Sequence, residues 1–398
     1  MTLAQRTRPL RIAMIGQRGV PATYGGVERH VEEMGARLAA RGHEVTVYSR
    51  GSYVDREQSA EVFRGMRLQC LPALENKHLE AISHSLLSSL HAVPRRYDVI
   101  HYHSVGPGLA SPVARFASGA RVVLTVHGLD GDRAKWGPMA QRVLDTATWM
   151  SARVPNATVV VSKALAEHYR RRYHAATEFI PNGVASSPRV APGPTLARLG
   201  LQPGRYLLFV GRFVPEKAPD RLIRAFRRVG NPGSASADLR LVLAGGSSFT
   251  DRYAAEISAS AAADPRVCLP GYVYGDDLAE LYTNAGAFVL PSAVEGMPLT
   301  LLEAASYGLP VVVSDIDPHL EVVRSDGPGR RVFEAGSEDD LVRVLKLVTS
   351  QFEVERDAAA ALQTEVLERY SWDAAVDQLE QVYARSITAR GRSSPARK

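Results

Sequence analysis

Glu295 and Glu303 lie in the stretch from Leu290 to Ser314, LPSAVEGMPLTLLEAASYGLPVVVS, with seven residues between them. Glu295-Gly296 reads as a loop, and Pro298 suits the first position of a helix, where its missing N–H costs nothing. That helix runs on through Leu301, Leu302, Glu303 and Ala304 and stops at Gly308, placed as a C′ glycine. Amides at a helix start have no intrahelical partner, so at the carboxyl end of a strand they offer a site for an anion. An acid beside a diphosphate pocket repels the anion, which leaves hydroxyl groups as its natural partner. Farther back, Gly211-Arg212 and Glu216-Lys217 place two cations just after another strand. Arginine offers a planar fork to phosphate oxygens and lysine a compact point charge. Most glutamates, lysines and arginines are merely solvated. It is the conjunction of cations and helix start in one half of the chain that argues for a site.

The elements that must hold these side chains follow from the apolar runs. Ala287–Leu290 and Val311–Ser314 flank the loop and helix as buried strands, which makes a crossover in a parallel sheet. In the first half, strands are expected at 11–15, 43–49, 98–102, 122–126, 158–161 and 178–180, with a helix over 27–40 ended by Gly42. Their near-continuous apolar character fits a parallel sheet covered on both faces. The glycines after Ile15 do not follow G-x-G-x-x-G, which disfavours an NAD site. Gly25-Gly26 at the helix entry suits either close approach of backbone to a ligand or a structural tight turn. His127 and Gly128 close the strand 122–126, where an open α/β sheet places its ligands, although one histidine there is more often structural. His101 and His103 face the same way on their strand and lack a third ligand in sequence, so they read as packing or acceptor-side residues rather than metal ligands.

Residues 184–204, with prolines at 188, 192, 194 and 203, read as a linker. Beyond it the pattern restarts, with strands at 206–210, 239–244 and 267–269 and helices at 222–229 and 278–284. The helix 372–386 lies past these repeats and is placed to cross back onto the first half. Two doubly wound α/β halves imply a cleft between them, the usual place for a ligand. Asp315 and Asp317 have D-x-D spacing but read as surface turn residues.

The chain has 398 residues, enough for two domains, with ordinary globular proportions of 45% hydrophobic and 23% charged residues. Two cysteines, Cys70 and Cys268, form no disulfide framework or metal spacing, which fits a reducing cytoplasm. The start of the chain has charge but no apolar core for a signal peptide, and no run approaches a spanning helix. The +6 net charge is modest and partly sits in a polar basic tail over 389–398. No Lys/Arg stripe interleaves with aromatics, so nucleic acid is not an expected partner. Lys135-Trp136 and Trp149-Met150, with Arg133, Arg142 and Arg153, offer a face to an anionic membrane, though a packed core helix is the plainer reading of the tryptophans.

With G-R-F-V-P-E-K, P-N-G-V, P-G-Y-V and P-S-x-x-E-x-x-x-x-x-x-x-E in this order, the chain resembles the family-4 retaining glycosyltransferases of GT-B fold, over nearly its whole length. The opening I-G-Q-R-G-V-P-A-T-Y-G-G-V-E-R-H also resembles a bacterial subgroup described as rhamnosyltransferase-like. The resemblance implies two Rossmann-like domains, an acceptor-side one over 9–186 and a nucleotide-sugar-binding one over 205–370. They are joined by a linker at 187–204 and followed by a crossing helix at 371–387 and a disordered tail at 388–398. It implies that Arg212 and Lys217 hold the donor's diphosphate and that Glu303 takes the ribose hydroxyls. Glu295 and His127 stand near the reacting sugar, and the amides of Met297, Pro298, Leu299 and Thr300 correspond to the phosphate and sugar contacts. Val273 corresponds to a residue whose backbone meets the base, and Gly25-Gly26 lie on the substrate side. Met297-Pro298 departs from the Phe-Gly of many members, and Pro298 removes one amide donor. Ala185 follows P-N-G-V where an aspartate is frequent.

The expected activity is transfer of a sugar from a nucleotide diphosphate sugar to a carbohydrate or lipid-linked acceptor with retention, in cell-surface polysaccharide or glycolipid synthesis. With cations at the diphosphate, no metal or other cofactor is required. The expected place is the cytoplasm, with peripheral contact at the inner face of the membrane. Two other readings stand beside it: a nucleotide-sugar 2-epimerase-like enzyme, which would turn over donor alone, and a non-catalytic nucleotide-sugar binder.

Overall fold

A computed structural model describes residues 8–23, 25–51, 53, 61–74, 76, 79–128, 138–229, 238–246 and 251–392. The chain divides into two compact units, one of residues 1–182 with 372–398 and one of residues 183–371.

The first unit is built on an eight-stranded sheet. Its strands are β1 (Arg11–Ile15), β2 (Glu44–Arg50), β3 (Val62–Phe63), β4 (Met66–Leu71), β5 (Val99–His103), β6 (Arg121–Val126), β7 (Ala157–Val160) and β8 (Glu178–Phe179). The order is β3-β4-β2-β1-β5-β6-β7-β8. All neighbours run parallel except the short β3, which pairs antiparallel with β4. Consecutive residues of β1, β5 and β6 are buried, so both faces of the sheet are covered. Helix α1 (Gly26–Ala40) is the crossover from β1 to β2, and the carboxyl ends of β1 and β5 flank the point where the strand order reverses.

The C-terminal helix, Trp372–Arg392, belongs to this unit and packs on α1. It buries Trp372, Val376, Leu379, Val382 and Tyr383 there. Arg41 reaches Asp377 and Glu380, both at 2.6 Å. The helix runs six residues past the expected end at 386, because Thr388 sits within it and bonds back to the Ala384 carbonyl. The basic tail therefore starts as helix, and its last residues, 393–398, lie outside the described ones.

The second unit is a six-stranded, wholly parallel sheet. Its strands are β9 (Tyr206–Val210), β10 (Arg240–Ala244), β11 (Val267–Gly271), β12 (Ala287–Leu290), β13 (Val311–Ser314) and β14 (Arg330–Phe333), in the order β11-β10-β9-β12-β13-β14. β9, β10, β12 and β13 are almost wholly buried. Residues 187–204, expected as a linker, sit in this unit and contain the helix Pro194–Leu199. The carboxylate of Glu280 accepts the amides of Gly193 and Leu196, both at 2.8 Å, and so does for this helix start what a local cap does elsewhere. The strand order reverses between β9 and β12, whose residues pair Ala287 to Leu207 and Phe288 to Leu208. Among the described residues no helix is long and apolar enough to cross a membrane.

Candidate functional site

Loops that leave the carboxyl ends of β9 and β12 diverge at the switch point of the second sheet, where an open α/β sheet opens a crevice. The first loop carries Gly211 to Lys217 and the second Pro291 to Thr300. They are tied directly: the Ala293 amide donates to the Glu216 carbonyl at 2.8 Å. The Lys217 ammonium donates to Glu295 Oε1 at 2.7 Å, with the two side chains only 14% and 11% exposed. Ser292 Oγ donates to the same oxygen at 2.8 Å. Burial works against the charge of Glu295, but Lys217 and Ser292 outweigh it and hold the carboxyl below its ordinary range. An ammonium has three hydrogens, so Lys217 has donors left for another anion while it holds Glu295.

Arg212 is half-buried in the same loop. The Gly211 amide bonds the Ala244 carbonyl and the Phe213 amide the Gly246 carbonyl, which anchors the loop on the end of β10. This close meeting requires glycine at 245, with φ 149°, because a Cβ there would lie 1.9 Å from the Gly211 carbonyl oxygen. Beyond β11, Val273 stands between Tyr272 and Tyr274, two exposed rings stacked at 6.2 Å and 7°.

Helix α2 (Leu299–Ser306) begins at the far end of the second loop, with Pro298 as its N-cap rather than its first residue. The shift comes from the backbone: Pro298 has ψ 98°, which is extended, while its carbonyl already accepts the amides of Leu301 and Leu302. The amides of Leu299 and Thr300 open the helix, where no carbonyl of the preceding turn exists to receive them. Met297, Pro298 and Leu299 are buried, and the Thr300 hydroxyl is buried without a hydrogen-bond partner. Glu303 accepts from the Tyr282 hydroxyl at 3.3 Å, and Tyr282 stacks on Tyr307 at 5.3 Å. Burial first, then the Glu303 charge, pushes the Tyr282 hydroxyl well above its ordinary range, so it remains a donor. Gly308 ends the helix at φ 68°, as its position in the sequence implied.

Sequence reading missed the residues that brace this loop pair. Ser314 Oγ donates to the Ser292 carbonyl at 2.5 Å and lies 3.0 Å from His319 Nδ1. Burial lowers His319 to about 4, so the ring is neutral. The usable signal is a serine at, or two residues past, the end of each of two adjacent strands. Asp315 and Asp317 are exposed, as expected of turn residues, and Asp315 accepts the Ala335 amide at 2.7 Å.

In the first unit, the carboxyl ends of β5 and β6 bring His103 and His127 together, with Nδ1 and Nε2 3.3 Å apart. His30, on α1, stands with its ring 4.6 Å from that of His127. Its Nδ1 lies 2.8 Å from Asn182 Oδ1, an acceptor that fixes the proton on that nitrogen. Burial lowers His30 to about 4 and holds His103 and His127 well below their ordinary value, with the neighbouring histidines adding to the effect. His101 is satisfied on both nitrogens, by Tyr383 and Thr125, each at 2.7 Å. His101 and His103 do face the same way, with rings 4.3 Å apart, but the histidines whose nitrogens converge are His103, His127 and, from α1, His30.

Gly25 has φ 104°, so the turn itself demands glycine there. Gly26 is the first residue of α1. Trp149 is 50% exposed with the Arg153 guanidinium 5.5 Å from its ring centre, which corrects the packed-core reading for that residue. Arg133, Lys135 and Trp136 lie outside the described residues.

Two family profiles match this chain, Glycosyltransferase Family 4 over residues 24–187 and Glycosyl transferases group 1 over residues 198–365. The chain is a GT-B glycosyltransferase, group 1 and family 4-like. This glycosyltransferase is 28% identical to a D-inositol 3-phosphate glycosyltransferase of Streptosporangium roseum, over 96% of this chain and 94% of that protein. It is 29% identical to one of Stackebrandtia nassauensis, over 98% and 95%. In fold it is similar to a sucrose-phosphate synthase from Thermosynechococcus elongatus, with TM-score 0.79 and 22% identity over 96% of this chain and 100% of that one. Anabaena HepE, solved in complex with UDP and glucose, gives TM-score 0.78 and 17% identity over 94% and 100%.

Proposed function

We propose that this glycosyltransferase moves a sugar from a nucleotide diphosphate sugar to an acceptor hydroxyl with retention of configuration, in the synthesis of a cell-surface polysaccharide or glycolipid. The observation that carries the donor half is the Lys217–Glu295 contact at the switch point, one loop away from the opening amides of α2. The donor's diphosphate lies against Arg212, Lys217 and the amides of Leu299 and Thr300, and Glu303 takes the ribose hydroxyls. Tyr272 to Tyr274, with Val273 between them, offer the base a stacking face. That HepE was solved with UDP and glucose supports a donor of this class.

Charge builds on the diphosphate as the bond to the sugar breaks. Fixed cations and amides already aimed at it lower the barrier without reorganising, and losing one such contact costs about 3 kcal/mol. A diphosphate leaving group needs no acid to depart. In this reading a phosphate oxygen takes the acceptor's proton, and the acceptor attacks the face that the diphosphate leaves. Glu295 and, from the first unit, His127 are the proposed contacts to the transferred sugar. The reaction requires no metal at the diphosphate, since Arg212 and Lys217 supply the positive charge.

The test is a thermal-shift screen of the full chain with UDP, GDP, TDP and ADP sugars, since a ligand of the native state raises its apparent stability. One nucleotide series is expected to raise the melting temperature, and the response is expected to vanish in Arg212→Ala. No response to any series, or an undiminished one in the variant, overturns the reading.

A further inference from the structure

We infer that His30, His103 and His127 form a binding site for a divalent transition-metal ion of the zinc class on the first unit. Their ligand nitrogens all lie within 4.8 Å of one another. The His103–His127 separation of 3.3 Å equals the edge of a tetrahedron of nitrogens around zinc, about 3.3–3.4 Å for Zn–N bonds of about 2.0–2.1 Å.

The other groups around the trio suit a metal better than a proton. Asn182 Oδ1 takes the Nδ1–H of His30 at 2.8 Å, so the Nε2 of His30 carries the lone pair. An acceptor behind a ligating imidazole is the arrangement that orients such rings and raises their basicity. His30 and His103 are buried. Two strand ends and a helix fix the three rings, which limits the entropy lost on binding. His127 is half-buried, which gives an ion a way in. Three imidazoles without a thiolate suit zinc, cobalt, nickel or copper rather than magnesium or calcium, and leave a fourth position for water.

An ion held there occupies the lone pair of His127. On the reading of His127 as a contact to the transferred sugar, which this consequence alone rests on, zinc inhibits transfer reversibly.

Zinc chloride is titrated into the full chain by calorimetry, and cobalt chloride is followed by visible absorption, both without donor present. One equivalent of each is expected, with the intense visible bands of tetrahedral cobalt. His30→Ala is expected to abolish those bands. Asn182→Ala is expected to fold and to weaken zinc about 10–100-fold, so it carries the test should His30→Ala not fold. Absence of a one-equivalent site, weak octahedral cobalt bands, or unchanged affinity in Asn182→Ala overturns the site. Zinc that binds as expected yet leaves donor turnover unchanged supports the metal site and removes His127 from the reaction instead.

Discussion

Removing the Lys217 ammonium leaves the Glu295 carboxylate buried, with the Ser292 hydroxyl still donating to it. An uncompensated buried charge is far more costly than a missing pair. Lys217→Met is therefore expected to destabilise the second unit by about 3 kcal/mol, and Lys217→Met with Glu295→Gln to recover most of that loss. Donor turnover is expected to fall about 100-fold in both, since neither restores a cation at the diphosphate. Urea unfolding and donor kinetics on the single and double variants check this. A double variant that regains turnover along with stability places Lys217 in the fold rather than in the chemistry. Both residues were legible in the sequence because their motifs are local. That they touch was not, since 78 residues separate them. The same holds for His30, whose partner Asn182 lies 152 residues on. His30 closes one motif and Asn182 stands in another, P-N-G-V, but nothing local in the sequence joins the two.

At the scale of elements, what the sequence revealed depended on burial. β9, an unbroken apolar run buried on both faces, falls at residues 206–210 as expected. β4 (MRLQCL) sets Arg67 and Gln69 among its apolar residues and is only half-buried, because it stands next to the short edge strand β3. β14 escaped for a different reason. Its two arginines, Arg330 and Arg331, bond Glu365 and Glu355, so a strand with a polar sequence is held by ion pairs that come from a distant helix. The start of α2 illustrates a further gap, since sequence places the helix but not the orphaned hydroxyl of Thr300 in its first turn. A buried unpaired hydroxyl costs about 1–3 kcal/mol. Thr300→Val keeps the shape and removes the hydroxyl, so the melting temperature is expected to hold or rise. Donor affinity is expected to fall about tenfold, the equivalent of one hydrogen bond of about 1.4 kcal/mol. Melting curves with and without donor separate the two effects. A variant that loses stability and keeps its donor affinity removes Thr300 from the site.

On the scale of the whole molecule, acid should act on the two units unequally. In the first unit burial lowers His30 and His84 to about 4 and His101 to about 3, and lowers His103 and His127 as well. In the second unit His319 is lowered to about 4. Unfolded, each ring takes a proton near its ordinary 6.5, while the native ring stays neutral until the pH approaches its lowered value. The unfolded chain thus binds more protons across this window. Stability is full above about 6.5 and is lost as the pH falls towards 4, by about 2 kcal/mol per ring at pH 5. Contacts between the rings make the total less than additive. Ion-paired carboxylates such as Glu33 and Asp264 have lowered values, and their contribution is lost only below the ordinary carboxylate range. The interval from pH 7 to 5 therefore isolates the histidines. The three tryptophans, Trp136, Trp149 and Trp372, all belong to the first unit, so indole emission reports that unit alone while far-ultraviolet dichroism reports both. With a chelator present to keep metal off the trio, the emission melt is expected to move down more steeply between pH 7 and 5 than the later part of the dichroism melt. An emission melt that does not move would show that these rings take up protons without unfolding. The buried cluster would then be open to solvent in the native state.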